Sequence, residues 1–309
     1  MKLDHQANGP IFIGGDGRSG TTLLSLVLNA HPLLTVGPEL HFNGPENLGS
    51  YVHHCAELLD NGDPMVFGKG IKEHPELKKG VQFAKRCHRF GLSFKLLSEL
   101  ISSSMNSTKS NLSSFQHRCH LINAIGEARK ADTNGQRWGI KIMREIAALS
   151  KYAKIWPNAQ FIHIVRDGRD VASSQMKEHG GWGYGDISEA ANKWSTLLRK
   201  VRKELNRHSV FEIRYEDLVG SPKESTQQLA EFLNVEWDEQ MLNHSNLSQP
   251  LYTNPYNHPS IKSVSKPIND NAVQRYKKDL TSDQIELFNK IAFDELVHFD
   301  YELLDASTR

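Results

Sequence analysis

Along the chain, short apolar runs alternate with longer stretches in which apolar positions recur every three or four residues. Pro10 to Ile13 is a run of strand type that breaks into the glycine-rich GGDGRSGTT and resumes as LLSLVLNAHP with helical spacing. The reading is strand, loop, helix. A second strand-like run, FIHIV (Phe161 to Val165), leads into RDGRDVASSQM, where Asp167 can begin a helix carrying Val171, Ala172 and Met176. A third, Val210 to Ile213, is followed by Ser221-Pro222, which opens the amphipathic segment ESTQQLAEFLNV. Repeated strand-then-helix units imply a central parallel sheet flanked by helices, an α/β three-layer sandwich.

Between about Tyr51 and Gln136 the pattern turns helical, with segments such as KGVQFAKRCHRF and LSFKLLSELISS joined by a polar Ser/Asn-rich tract from Ser102 to Ser114. This is read as a helical insertion, serving either packing or acceptor recognition. Residues Leu247 to Asn271, with Pro250, Pro255, Pro259 and Pro267, form a long Pro/Asn/Ser stretch of the kind that is uncommon unless functional or mobile. The chain ends in the helical TSDQIELFNKIAFDELVHF, expected to cap the sheet, and carries no repeat of solenoid length. One domain over 1–309 is expected, with the insertion at about 51–136 and a covering loop at about 247–275.

Composition narrows the class without naming it. With 37 Lys+Arg against 36 Asp+Glu the 309-residue chain carries a formal charge of +1, which argues against a whole-surface polyanion binder and leaves room for a local basic cleft. No nucleic-acid partner is expected. Cys55, Cys87 and Cys119 are too few and too scattered for a disulfide framework, and none forms a CxxC pair. Asp4, His5, Gln6 and Asn8 interrupt the stretch where a signal peptide needs an apolar run, and no segment approaches the ~20 apolar residues of a membrane span. The expectation is a cytoplasmic protein with no transmembrane segment. Sequons at Asn106, Asn111, Asn243 and Asn246 then read as chance occurrences in Asn/Ser-rich stretches.

Gly15-Asp16-Gly17-Arg18-Ser19-Gly20-Thr21-Thr22 has the spacing of a P-loop, GxxxxGK[ST], except that Thr21 stands where the lysine belongs. Glycines at 14, 15, 17 and 20 let backbone N–H groups turn inward around an anion, and the following helix adds its positive end. A triphosphatase needs the lysine on the terminal phosphates and an acid for the metal. Arg18 and the hydroxyls of Ser19, Thr21 and Thr22 replace that equipment, so the residues point to a phosphate-binding loop without metal. No HExxH or clustered His/Asp set suggests a metal either, and His53-His54-Cys55 reads as a surface or core feature.

At these residues the sequence resembles the PAPS-dependent sulfotransferases. PIFIGGDGRSGTTLL is similar to the loop that holds the 5′-phosphosulfate of PAPS, and the IFIGG preceding RSGTT is closest to the tyrosylprotein sulfotransferase branch. VRDGRDVASS resembles the family's 3′-phosphate site, in which an Arg at the strand end and a Ser two helical turns later form a clamp; those positions are Arg166 and Ser174. An arginine and a hydroxyl suit a phosphate dianion because they supply charge-assisted bonds in fixed geometry. The resemblance runs from Pro10 to about Leu280. It places Glu39, in NAHPLLTVGPEL, at the catalytic base, Lys141, in GIKIMRE, near the transferring sulfate, and Tyr215, in IRYEDL, along the nucleotide. SIKSVSKPINDNAVQRYKKDL resembles the late loop that closes over the cofactor, with Ser260 at a sulfate-contacting serine, Arg275 at a basic residue near the 3′-phosphate and Lys266 as a further cofactor contact. Arg18, Ser19, Gly20, Thr21, Thr22 and Leu23 complete the implied PAPS set.

Three positions depart from the branch. His41 stands where an Arg lies close to the base, Gly17 replaces the Pro before the loop arginine, and Arg275 replaces a Lys. The resemblance implies in-line sulfuryl transfer from PAPS to a hydroxyl or phenol: Glu39 takes the acceptor proton, while Lys141, Arg18 and Ser260 stabilise the charge that develops. From the residues alone Glu39 reads better as a solvated turn carboxylate than as a base, and His41 is a rival base because imidazole titrates near neutral pH. Arg169 has Asp167 or Asp170 as a simple ion-pair partner, and Asp170 reads as a first-turn helix acid. Two competing readings are a P-loop small-molecule kinase, which the missing lysine disfavours, and a PAPS-binding protein without transfer activity. The acceptor, whether small molecule, glycan, lipid or tyrosine side chain, is not written in these motifs.

Overall fold

The computed structural model describes residues 9–40, 47–177, 183–205, 208–253 and 258–303. Five strands, β1 (Ile11–Gly14), β2 (Leu34–Glu39), β3 (Arg137–Met143), β4 (Gln160–Val165) and β5 (Val210–Arg214), form one parallel sheet in the order β2-β3-β1-β4-β5. The α/β reading holds. The principal helices are α1 (Thr21–Asn29), α2 (Leu48–Asp60), α3 (Lys78–Arg89), α4 (Phe94–Thr108), α5 (Phe115–Asp132), α6 (Gly168–Met176), α7 (Ile187–Leu205), α8 (Pro222–Phe232) and α9 (Ser282–Ile291). The chain divides into two compact units, 1–24 with 142–237 and 268–309, and 25–141 with 238–267.

In the first unit β1 pairs with β4 and β4 with β5, in the register Ile11↔Gln160 and Phe161↔Val210. Ile11, Phe12 and Ile13 are wholly buried, as expected of a strand covered on both faces. Asp167 caps α6 by accepting a hydrogen bond from the Arg169 N–H at 2.9 Å, the helix start that its sequence position suggests. Trp194 of α7 and Phe288 of α9 meet at 5.9 Å between ring centroids, in a core that also takes in Val171, Ala172 and Tyr276. The C-terminal helical segment breaks at Ala292 into α9 and a short helix, Phe293–His298, and both pack on α7.

In the second unit the helices α2 to α5 lie between β2 and β3 in the chain, with α2 packed on α3 and α4. The polar tract from Ser102 to Ser114 is only partly a linker. Helix α4 continues through it to Thr108, where the Ser107 and Thr108 hydroxyls donate back to the carbonyls of Ser103 and Ser104 at 2.8 Å. The stretch after Leu247 likewise carries short helices, Pro250–Thr253 and Ile261–Val264. Gln249 anchors it, donating to the carbonyls of Leu26 and His244 at 3.2 and 3.1 Å.

Strands β2 and β3 have no clear signal in the sequence. β2 reads LTVGPE, whose Gly37-Pro38 is a breaker pair, and β3 carries a lysine in its centre. The ladder resolves the first conflict: Val36 pairs with Gly139 and Glu39 with Lys141, so β2 holds one residue more than β3 over that interval. Gly37-Pro38 sits inside this bulge. Gly37 also lies against Phe90, where a Cβ would come within 2.5 Å of the ring.

Candidate active site

The glycine-rich loop leaves β1 with backbone conformations that its sequence requires. Gly20 has φ +95, and a Cβ there would come within 2.5 Å of the Tyr215 ring, so the loop packs on Tyr215 only because residue 20 has no side chain. Arg18 is also left-handed, with φ +68. The Gly15 N–H donates to the Met143 carbonyl at 3.2 Å and the Ser19 N–H to the Asp16 carbonyl at 3.3 Å. Ser19, Thr21, Thr22 and Leu23 are buried, and the Thr21 hydroxyl donates to the Met143 Sδ at 3.5 Å.

Asp16 holds this loop from within, a role that no pattern in the sequence announces. Its Oδ1 accepts from the Gly17 N–H at 2.7 Å and faces the Arg144 Nε at 3.3 Å, while its Oδ2 accepts from the Tyr184 hydroxyl at 2.6 Å. Burial, then the neighbouring Asp16 charge, pushes the Tyr184 hydroxyl well above its ordinary range, keeping it a donor. Gln175 of α6 adds a bond to the Gly17 carbonyl at 2.9 Å. A buried carboxylate in this loop is tolerable because Arg144 and these donors compensate it.

Helix α6 and the end of β4 bring the second predicted group to the same loop. The Arg18 Nε donates to the Ser174 Oγ at 2.9 Å, and the Arg166 Nη1 donates to the Arg18 carbonyl at 3.1 Å. The Arg166 guanidinium lies 4.8 Å from the centroid of the Tyr215 ring and 3.2 Å from Asp170. Arg18, Ser174, Arg166 and Tyr215 therefore form one cluster. Arg275 immediately precedes the short helix Tyr276–Asp279; its side chain is 44% exposed and 3.2 Å from Asp279.

The second unit has a charged group of its own. Glu39, brought into register with Lys141 by the bulge, is 2.7 Å from the Nη2 of Arg86 on α3. Lys141 is almost fully buried, and burial lowers its pKa to about 8; Glu39 opposes the shift, while Arg86 and Arg89 add to it. Arg86 and Arg89, three apart on one helix, give this group an excess of positive charge around one carboxylate. Nothing in the KGVQFAKRCHRF pattern sets Arg86 apart from the other cations of an amphipathic helix. Ser260 precedes the helix Ile261–Val264, its N–H donating to the His258 Nδ1 at 3.2 Å, and Lys266 is exposed beyond it. His41 lies outside the described residues.

The model of the sulfotransferase family matches residues 10–239. The chain belongs to that family. It is 22% identical to protein-tyrosine sulfotransferase A of Caenorhabditis elegans over 91% of this chain and 64% of that protein. With protein-tyrosine sulfotransferase 1 of Danio rerio it shares 24% identity over 77% of this chain and 56% of that one. These relatives agree with the branch that the motifs resemble; the chain spans about half the length of the curated relatives it matches. The sulfotransferase domain of the Synechococcus PCC 7002 olefin synthase shares the fold, with a TM-score of 0.60 at 22% identity, covering 96% of this chain and 95% of that one. So does the sulfotransferase domain from the curacin biosynthetic pathway, at TM-score 0.58 and 19% identity over 96% and 99%.

Two observations on this sulfotransferase-family chain test whether its residues fit a doubly phosphorylated nucleotide. The path of the glycine-rich loop depends on its glycines, because a Cβ at Gly15 would collide with the Ile164 carbonyl and one at Gly20 with the Tyr215 ring, which leaves its backbone close to the Arg166 and Tyr215 cluster. The Arg166 Nε is buried with no hydrogen-bond partner among the described residues, a donor that they do not satisfy. Both fit. Among the described residues no group of His, Cys, Asp or Glu side chains could hold a metal, and no helix is long and apolar enough to cross a membrane. Arg169 pairs with Asp167 at 2.7 Å, and Asp170 stands in the first turn of α6, where it is buried and accepts backbone N–H bonds.

Proposed function

We propose that the protein transfers a sulfuryl group from PAPS to the hydroxyl or phenol of an acceptor. The carrying observation is the cluster of Arg18, Arg166, Ser174 and Tyr215 around the glycine-rich loop, with the unsatisfied Arg166 Nε as a ready phosphate donor. PAPS, when bound, supplies the sulfuryl group and a 5′-phosphate leaving group. The residues from Arg18 to Leu23 hold the 5′ side, and Arg166 with Ser174 holds the 3′-phosphate. Tyr215 lines the nucleotide, and Lys266 and Arg275 add positive charge from the late segment.

Glu39 accepts the proton of the acceptor hydroxyl, and its pairing with Arg86 supports a carboxylate able to do so. Lys141 holds a positive charge for the oxygens that gain negative charge, with Arg18 and the Ser260 hydroxyl in supporting roles. Sulfuryl transfer parallels phosphoryl transfer, in which positioning and charge stabilisation do most of the work. A kinase reading is disfavoured by Thr21, whose hydroxyl is directed to a methionine sulfur in the position of the P-loop lysine. The similarity to protein-tyrosine sulfotransferases supports a tyrosine side chain as one acceptor class, alongside small-molecule, glycan and lipid hydroxyls.

Calorimetric titration with PAP, the 3′,5′-bisphosphate product, and with adenosine 5′-phosphate tests the cofactor. A clear preference for PAP is expected, and its lack overturns the reading. Labelled PAPS offered with tyrosine peptides, phenols, glycans and hydroxylated lipids then tests transfer: label on one class is expected. Tight PAP binding with no labelled acceptor would instead favour a binding protein.

A further inference from the structure

One face of α6 and its flanks is given over to a distant segment of the chain. Arg166, Arg169, Asp170, Ser173 and Lys177, spaced as neighbours along a helix, all bond or stack on residues 272–279. The Arg166 Nη2 donates to the Ala272 carbonyl, and the Arg169 guanidinium lies 4.3 Å from the Tyr276 ring centroid. Ser173 and Lys177 both reach Asp279 at 2.6 Å.

Asp170 is the centre of this contact. Its side chain is fully buried; its Oδ2 accepts from the Gln274 N–H at 2.9 Å and pairs with the Arg166 Nη2 at 3.2 Å, and its Oδ1 accepts from the Tyr276 N–H at 2.9 Å. Gln274, the first of these two bonded positions, takes the left-handed φ of +58, a conformation that costs a non-glycine residue energy unless its surroundings hold it. The same carboxylate therefore fixes a strained backbone turn and one terminal nitrogen of Arg166. The other terminal nitrogen is taken by the Arg18 carbonyl, which leaves the buried Nε as the donor without a partner among the described residues.

We propose that Asp170 is the positioning residue of the 3′-phosphate site, locking Arg166 and the 272–276 turn together so that recognition of the 3′-phosphate and retention of that turn are one coupled event. The proposal rests on the PAPS reading and adds to it a residue that does not touch the nucleotide. A 3′-phosphate has the buried Nε as its donor. Once bound, it draws on the guanidinium that Asp170 orients and that holds the Ala272 carbonyl. A ligand without the 3′-phosphate engages neither.

The variant Asp170→Asn keeps the shape and one acceptor oxygen and removes the charge. Titrated with PAP and with adenosine 5′-phosphate, it should lose roughly 10–100-fold in PAP affinity, the scale of a hydrogen bond to a charged group, and less than about threefold for the monophosphate. Equal losses for both nucleotides, or none, overturn the proposal. Should the variant not fold, amide exchange on the unmodified protein decides: PAP should slow exchange in residues 272–276 by about tenfold or more, and adenosine 5′-phosphate should not. Identical protection by the two nucleotides overturns it. If the unmodified protein shows no preference for PAP, the cofactor reading fails first and the coupling falls with it.

Discussion

At the scale of single residues, removal of either group proposed for the chemistry should lower turnover, and removal of Lys141 should also relieve a burial cost. Glu39→Ala should reduce kcat by about 10²–10⁴-fold, the range of a general base, while leaving the calorimetric affinity for PAP nearly unchanged. Full turnover in that variant would remove Glu39 from the mechanism. Lys141 is costly to keep: its ordinary value of 10.5 falls to about 8 because burial disfavours its charge. Below pH 8 the residue is charged in folded and unfolded chains alike, and the full cost is present. Between about 8 and 10.5 the folded chain releases the proton and the unfolded chain keeps it, so this residue's contribution to stability improves as pH rises. Lys141→Met should therefore raise the urea midpoint at pH 7, by a free energy on the order of a few kcal/mol, and still lower kcat. A lowered midpoint would contradict the burial cost. In the unmodified enzyme kcat/KM should decline above about pH 8 as the charge is lost.

At the scale of elements, the strand-loop-helix unit depends on what its glycines leave empty. Gly20→Ala would place a Cβ 2.5 Å from the Tyr215 ring at φ +95, so both strain and collision follow. Gly62 has φ +68 with nothing within 4 Å, and Gly62→Ala meets the strain alone. The expected result is a loss of about 1–2 kcal/mol in thermal or urea unfolding for Gly62→Ala with PAP affinity intact. For Gly20→Ala a larger loss is expected, with PAP affinity reduced more than tenfold; equal behaviour of the two variants would show that the Tyr215 contact carries no weight. The first, fourth and fifth strands and the α6 cap are legible because each is announced by neighbouring residues: an apolar run, a glycine loop, an Asp at the helix start. The second and third are not. Gly37-Pro38 reads as a turn, and only the pairing with β3 shows that it is a bulge inside a strand.

At the scale of the whole molecule, the +1 net charge hides local concentrations of both signs, seen in the Glu39, Arg86, Arg89 and Lys141 group and in the Arg166 and Asp170 pair. The three cysteines test the integrity of the fold. All are buried, and burial pushes the Cys55 thiol up to about 11 and the Cys87 thiol higher still. At pH 8 the thiolate fraction of Cys55 is on the order of one in a thousand. A thiol reagent should leave the native protein unlabelled at that pH and modify all three sites once urea unfolds it; rapid native labelling would show that the helical region opens readily. The glycine-rich loop between strand and helix, the placing of Arg166 just before α6 and of Ser174 along it, and the α/β class can be read from the chain as written, because each is encoded by residues a few positions apart whose turn and capping chemistry is local. Only folding reveals that Arg86 reaches Glu39, that Asp16 braces the loop from inside and that Asp170 holds a turn more than a hundred residues away. Those partners meet through helix packing, strand register and loop closure, and in the sequence they are ordinary charged residues.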